Sequence, residues 1–187
     1  MEKFIAYLSS ISPLSEEAKN EIRAVAVKES FAKGGILIHE LAKCQHLYFI
    51  EKGLARAYFY HNEKEITDWF GMEGMVIGPI LRNFPVKETK HSVVLLEDTT
   101  TISVSFADLE MLYNKHHEIE RLGRLIAIYS MLYLQNKIDS IQLLSAKERY
   151  QRFLADYPNL IQRVPLGYIA SFLGMNQVTL SRVRKYK

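Results

Sequence analysis

The chain has one cysteine, Cys44, in 187 residues. A single thiol excludes a disulfide framework and a four-thiolate zinc or iron–sulfur site built by this chain alone, and it fits a reducing cytoplasm. Long apolar runs are also missing. The opening stretch MEKFIAYLSSISPLSEEAKNEI carries acids and no extended apolar core, so it does not read as a signal peptide. The greasiest segment, residues 122–134, contains Arg124 and is too short and too charged to span a bilayer. Excess charge is scarce too, with a formal net charge of only +3. Hydrophobic residues make up 48% and charged residues 24%, proportions that exclude a disordered chain. This length allows one large domain or two small ones, enough for a real core.

The small net charge hides an uneven distribution. Residues 145–187 hold eight basic side chains (Lys147, Arg149, Arg152, Arg163, Arg182, Arg184, Lys185, Lys187) against Glu148 and Asp156, a local charge of +6 that leaves −3 for the rest. A basic end on a mildly acidic body points to a nucleic-acid-binding module attached to something else.

Periodicity separates three regions. Phe4, Leu8 and Ile11 recur at helical spacing, Ser12-Pro13 breaks the run, and a second short helix starts near Ser15 with acids in its first turn. Residues 24–104 then show short β-rich runs at 36–38, 46–50, 54–60, 66–70, 92–96 and 100–104. Lys33-Gly34-Gly35, Glu51-Lys52-Gly53, His61-Asn62-Glu63 and Glu97-Asp98 are the turns between them. This spacing predicts a sandwich or barrel. Ser105 can cap a returning helix with Asp108 in its first turn.

A long helix is expected over residues 117–144. Within it, ten of the thirteen positions 122–134 are apolar, all but Gly123, Arg124 and Ser130. A helix that greasy on every side needs cover on every side. A small barrel covers one face, and the same helix of a second copy is the simplest cover for the other. Leu122, Leu125, Ile128, Tyr129 and Leu132 are the expected dimerisation residues. Ser145-Ala146-Lys147-Glu148 has the form of a capping box, so a new helix starts at 145, where the charge also changes sign. The expected division is an effector domain at 1–116, a dimerisation helix at 117–144 and a DNA-binding domain at 145–187.

From Pro165 onward the residue types fit a helix–turn–helix. Pro165 suits a first helical turn, Ile169 and Leu173 form a buried stripe, and Ala170 is small where a crossing helix must approach. Gly174 ends the first helix in a left-handed conformation and Asn176 caps the second, whose inward face is Leu180 and Val183. Gln177, Ser181, Lys185, Val178 and Arg182 fall within an arc of about 140°, with Arg184 just beyond its other edge. A face of that composition suits bases and phosphates.

Several short motifs, in order, then resemble the Crp–Fnr family of bacterial transcription regulators. They are Ile11-Ser12-Pro13-Leu14-Ser15-Glu16-Glu17, Lys33-Gly34, Leu47-Tyr48-Phe49-Ile50-Glu51-Lys52-Gly53, Phe70-Gly71, Leu96-Glu97-Asp98, Leu144-Ser145-Ala146-Lys147-Glu148-Arg149 and the terminal helix–turn–helix. The resemblance implies an α+β fold. An N-terminal double-stranded β-helix (the jelly-roll-like cyclic-nucleotide-binding fold) comes first, then a long dimerisation helix and a small all-α helix–turn–helix domain, here without a C-terminal wing. It implies a homodimeric, cytoplasmic, non-enzymatic regulator that binds double-stranded DNA at a palindrome, with RNA polymerase and a small-molecule effector as further partners and no cofactor.

Two departures qualify it. In the family's phosphate-binding segment, Phe-Gly-Glu supplies a glutamate for the ribose and a following arginine meets the cyclic phosphate. Here the segment reads Ile77-Gly78-Pro79, and the arginine position aligns with Thr89. Proline offers no acceptor, and threonine cannot replace a guanidinium fork. The expected effector pocket is Gly78, Pro79, Thr89 and Lys90, with cyclic AMP not the expected effector. Arg82 and Lys87 lie close by and suit either another anion or a solvated loop. The second departure is Val178, which stands where relatives often place an acid, so a different target sequence is expected. The alternatives are a true cyclic-nucleotide-responsive regulator, a cupin-like metal enzyme and a haem or gas sensor using a histidine or Cys44. The six histidines (His39, His46, His61, His91, His116, His117) show no His-x-His followed by a glutamate, as a cupin metal site would need.

Overall fold

The computed structural model describes residues 1–42, 44–78 and 91–185. Helix α1 (Glu2–Ile11) stops at Ser12, and α2 (Glu16–Val25) starts behind Ser15, whose hydroxyl accepts the Ala18 amide at 3.2 Å. Eight strands follow: β1 (Val27–Phe31), β2 (Ile36–Ile38), β3 (His46–Lys52), β4 (Leu54–His61), β5 (Lys64–Met72), β6 (Val76–Ile77), β7 (Ser92–Leu95) and β8 (Thr99–Ser105). They form two four-stranded sheets, ordered β1-β8-β3-β6 and β2-β7-β4-β5. This is the expected jelly-roll-like arrangement. Strands β8 and β3 pair antiparallel with Ile102 opposite Phe49, and β8 pairs β1 with Ile102 opposite Lys28.

Turn chemistry sets the strand connections. Gly53 joins β3 to β4 at φ +107°, and a Cβ there would lie 2.4 Å from the Thr99 hydroxyl, so only glycine fits. Asn62 and Glu63 join β4 to β5 with φ of 47° and 62°, the positive pair of a tight hairpin turn. The expected strands are present, but β1 and β6 were not expected. Four of the five residues of β1 (VKESF) are exposed, so it has no apolar alternation to read, and it exists through its pairing with β8.

Helix α3 (Phe106–Lys115) is capped by Ser105, which accepts the Asp108 amide at 3.0 Å. The long helix α4 (His117–Leu143) comes next, followed by α5 (Ala146–Asp156), α6 (Leu160–Arg163), α7 (Leu166–Phe172) and α8 (Gln177–Lys185). Ser145 and Glu148 close the expected capping box, the carboxylate accepting the Ser145 amide at 2.8 Å. That contact holds the Glu148 carboxyl below the usual carboxylate range. Among the described residues no helix is long and apolar enough to cross a membrane.

By compactness the chain forms two units, one of residues 1–57 and 70–129, the other of 58–69 and 130–187. This division differs from the one drawn from sequence at 116 and 144. Helix α4 contributes to both units, and the tip of the β4–β5 hairpin groups with the C-terminal helices. In the first unit, Phe4, Leu8 and Ile22 pack with Phe49, Ile102 and Val104 of the sheet and with Leu112, Ile119 and Leu122. The alternate positions of β8, Thr99, Thr101 and Ser103, are buried on the opposite face, as the strand period requires. In the second unit the core is Tyr150, Phe153, Leu160, Val164, Ile169, Ala170, Leu173 and Leu180.

Candidate nucleic-acid interface

The last two helices form a compact corner. Leu173 and Gly174 end α7, with Gly174 at φ +63° and its amide donating to Ser171 O at 3.0 Å, while the Met175 amide reaches back to Ala170 O at 3.0 Å. These reversed bonds satisfy carbonyls that the helix end would leave open. Asn176 then caps α8, its side-chain oxygen accepting the Thr179 amide at 2.8 Å. Leu180, only 1% exposed, locks α8 onto α7 through Ile169, Ala170 and Leu173 in the same core, and Val183 is half-buried. Pro165 sits one position earlier than expected. It is the cap residue rather than part of the first turn, and its carbonyl accepts the Tyr168 amide at 3.0 Å.

The outward face of α8 carries the predicted side chains together. Gln177, Ser181, Arg182, Arg184 and Lys185 are all exposed, and Val178 is 69% exposed. No acid lies in the first turn, and Arg182, Arg184 and Lys185 occupy the last turn. One contact was missed from sequence. A Cβ on Gly167 would lie 2.4 Å from Gln177 Nε2, so the glutamine amide rests over a gap that glycine leaves in α7. The signal was present as Gly167 in the first turn of a helix, a place where glycine is otherwise disfavoured.

The corner is tied into its own unit. Ser171 Oγ accepts the Thr67 amide of the β4–β5 hairpin at 2.9 Å. Lys137 of α4 pairs with Asp68 of the same hairpin, and its ammonium lies 5.6 Å from the centre of the Phe172 ring.

The expected dimerisation residues do not share one environment. Leu122 is 3% exposed, inside its own chain's core beside Ile119, and is unavailable to a partner. Its neighbour Gly123 makes room for the Tyr113 hydroxyl, which a Cβ would meet at 2.4 Å. Leu125 is half-buried, whereas Ile128, Tyr129 and Leu132 are exposed. Met131 and Leu134 are exposed as well, and the apolar row continues past the expected stretch 122–134 through Ile138, Ile141 and Leu143.

Of the expected effector pocket, Gly78 is described and Pro79, Thr89 and Lys90 lie outside the described residues, as do Arg82 and Lys87. Gly78 has φ +139°, and a Cβ there would meet His46 O at 3.0 Å. Buried polar side chains occur in the same unit: Arg56, Ser92, Thr99, Thr101 and Ser103. Cys44 donates its thiol to His46 O at 3.3 Å, and burial pushes its pKa up, away from the thiolate a metal ligand requires. Glu17, Glu21 and His116 gather with ligand atoms within 4.8 Å of one another. Glu21 is already held by Lys115 and by His116 Nε2 at 2.9 Å, and the group lies on the helices rather than among the strands.

No protein-family model matches the chain, and no curated protein matches it. Solved structures do. FixK2 from Bradyrhizobium japonicum superposes with a TM-score of 0.77 at 19% identity, over 87% of this chain and 84% of that one. A transcriptional regulator of the Crp/Fnr family from Eubacterium rectale, itself a provisional assignment, gives 0.73 at 18% identity, over 97% and 87%. The c-di-GMP responsive global regulator CLP of Xanthomonas campestris gives 0.72 at 14%, over 92% and 91%. The chain shares the fold of these proteins along nearly its whole length.

Proposed function

We propose that the chain is a DNA-binding transcriptional regulator of the bacterial Crp–Fnr type, acting as a homodimer on a palindromic operator. The carrying observation is the α8 face. Five polar or basic side chains (Gln177, Ser181, Arg182, Arg184, Lys185) stand in solvent on a helix whose opposite side is locked by Leu180. Gln177 can pair bidentately with adenine and Arg182 with guanine, while Val178 offers apolar contact to a thymine methyl. Ser181 and Arg184 flank the reading edge, and Lys185 and Lys187 meet phosphates. The fold neighbours that are described as regulators support this reading, and so does the exposed apolar row on α4, which a second copy would cover.

In this reading, residues 1–116 receive an effector, 117–144 pair the two copies, and 145–187 read DNA. It is a regulatory rather than an enzymatic assignment. Pro79 and Thr89 replace the acceptor and the cation that a cyclic nucleotide would need, so cyclic AMP and cyclic GMP bind weakly or not at all. Calorimetry that returned micromolar affinity for either would overturn this part alone. The main test is selection of bound duplexes from random DNA, followed by salt titration of the selected site. A palindrome with half-sites about one helical turn, roughly 34 Å, apart is the expected product. Enrichment of no sequence, with affinity set by salt alone, would reduce the basic end to an electrostatic anchor.

A further inference from the structure

A cleft of about 360 Å³ opens between α4 and α5, closed at one end by Phe172 and Leu173 of α7. Its walls are single helix faces. Tyr133, Asn136, Lys137, Ser140 and Ile141 face it from α4, and Arg149, Arg152, Phe153, Asp156 and Tyr157 from α5, each set at three- and four-residue spacing. Volume alone puts it at the lower end of small-molecule sites, about 300–1,000 Å³.

The two ends of the cleft differ in chemistry. Near the α4–α5 junction, Arg149 turns its Nη1 onto the carbonyls of Leu144 (2.9 Å) and Ile141 (3.4 Å). Its Nε is buried and has no hydrogen-bond partner among the described residues. No carboxylate pairs with Arg149 among the described residues, whereas Lys137 is paired with Asp68 and Arg152 with Asp156 at 3.6 Å. A guanidinium with no carboxylate partner favours an anion supplied from outside. Ser140 and Asn136 add a hydroxyl and an amide on the facing helix.

The far end is aromatic. Phe153 packs on Tyr157 with centroids 5.4 Å apart and on Phe172 at 5.9 Å, and Tyr157 meets Phe172 edge-on at 6.1 Å. The Tyr157 and Tyr133 hydroxyls lie 3.3 Å apart. Burial raises both phenols' pKa values, which keeps the two hydroxyls protonated.

We infer that this cleft binds a small anion carried on a planar ring, its carboxylate or phosphate on the Arg149 guanidinium and its ring against Phe153, Tyr157 and Phe172. Charge complementarity selects the head group and ring stacking the body. The site is separate from the α8 face, so it stands whether or not that face reads DNA.

Calorimetry on the full chain tests it with four probes: phenyl phosphate, benzoate, inorganic phosphate and benzyl alcohol. One of the two ring-bearing anions binds with one site per chain, and the better of the two identifies the head group. Inorganic phosphate and the neutral alcohol bind at least about tenfold more weakly. Arg149→Gln lowers affinity for the preferred anion by about tenfold or more. Because Arg149 also braces the junction, Ser140→Phe provides the second variant, filling the cleft while leaving every charge in place, and it abolishes the heat. Failure of both ring-bearing anions to bind overturns the inference, as does equal affinity for benzyl alcohol. Unchanged affinity in a folded Ser140→Phe variant does so too, since the ligand would then sit elsewhere.

Discussion

Helices α4 and α8 both hold side chains in solvent that their own chain does not use, and the two sets are chemical opposites. From α4 emerge Ile128, Leu132, Leu134, Ile138 and Ile141, each between 40% and 54% exposed. From α8 emerge Gln177, Ser181, Arg182, Arg184 and Lys185. Helix α4 divides along its length, with Ile119 and Leu122 in the core of its first turns and the exposed row following. Helix α8 divides around its circumference, Leu180 inward and the polar arc outward. The difference specifies partners of different kinds. An apolar row is stable only against another apolar surface, and a second copy offers the same row by symmetry. A basic arc with interspersed hydrogen-bonding groups suits a polyanion with patterned edges.

The largest effect separates the two halves of α4. Leu122→Ala is expected to cost about 2–5 kcal/mol of folding stability, because it empties a packed core. Leu132→Ala, on the exposed row, should change the fold of a single chain by no more than about 0.5 kcal/mol. Urea melts of both, made in an Ile128→Glu background so that association does not contribute, give the comparison. Equal losses would erase the distinction between the halves.

Next in size is self-association. Leu132→Glu places a charge in what would be a dry seam and should weaken the dimer by about 100-fold or more, with the fold retained. Sedimentation of the unaltered chain as a stable monomer at micromolar concentration would remove the α4 side of the contrast altogether.

On α8, Gln177→Ala and Arg182→Ala should each cost about 1–3 kcal/mol on the selected operator and relax preference at one base pair per half-site. Lys185→Ala should weaken all sequences alike and flatten the salt dependence by about one phosphate contact. Band-shift titrations against specific and random duplexes tell these apart. If Gln177→Ala and Lys185→Ala weakened both duplexes by one factor, the assigned edge would be wrong.

The smallest expected effect is acid sensitivity where α2 meets the end of α3. Lys115 and then His116, both bonded to Glu21, hold its carboxyl below the usual carboxylate range. A carboxyl depressed in the folded state contributes stability that is complete above its unfolded value of about 4.3 and is lost as pH falls through the lower folded value. Glu21→Gln should therefore flatten the acid limb of the stability curve and leave the neutral region nearly parallel. Stability measured against pH in both proteins checks this.

What was legible in the sequence was local. Ser15, Ser105, Ser145 with Glu148, Gly174 and Asn176 act within four residues of themselves, so residue type and spacing sufficed to place the helix ends. Strand β1 was not legible, because its exposed VKESF pattern carries no signal apart from β8, some seventy positions away. Leu122 and Leu132 look alike in an apolar run, and only the folded chain assigns one to its core and the other to its surface. Of the site, the outward face of α8 followed from a 3.6-residue period. The rest of the Gln177 environment depended on Gly167 across the corner, and the cleft at Arg149 on two helix faces meeting.

The joint between α4 and α5 is two residues long, Leu144 and Ser145, closed by a capping box and braced by Arg149. A linker that short has almost no slack, so, if two copies pair and bind one operator, little chain entropy would be left to lose when the second head bound after the first. The effective concentration of that second head would be high for one spacing of half-sites and would collapse for others, because no flexible tether spreads its reach. The burden of a mis-spaced operator would then shift onto the duplex, which would have to bend or twist to meet the protein. Discrimination would in this way extend to base pairs that no side chain touches.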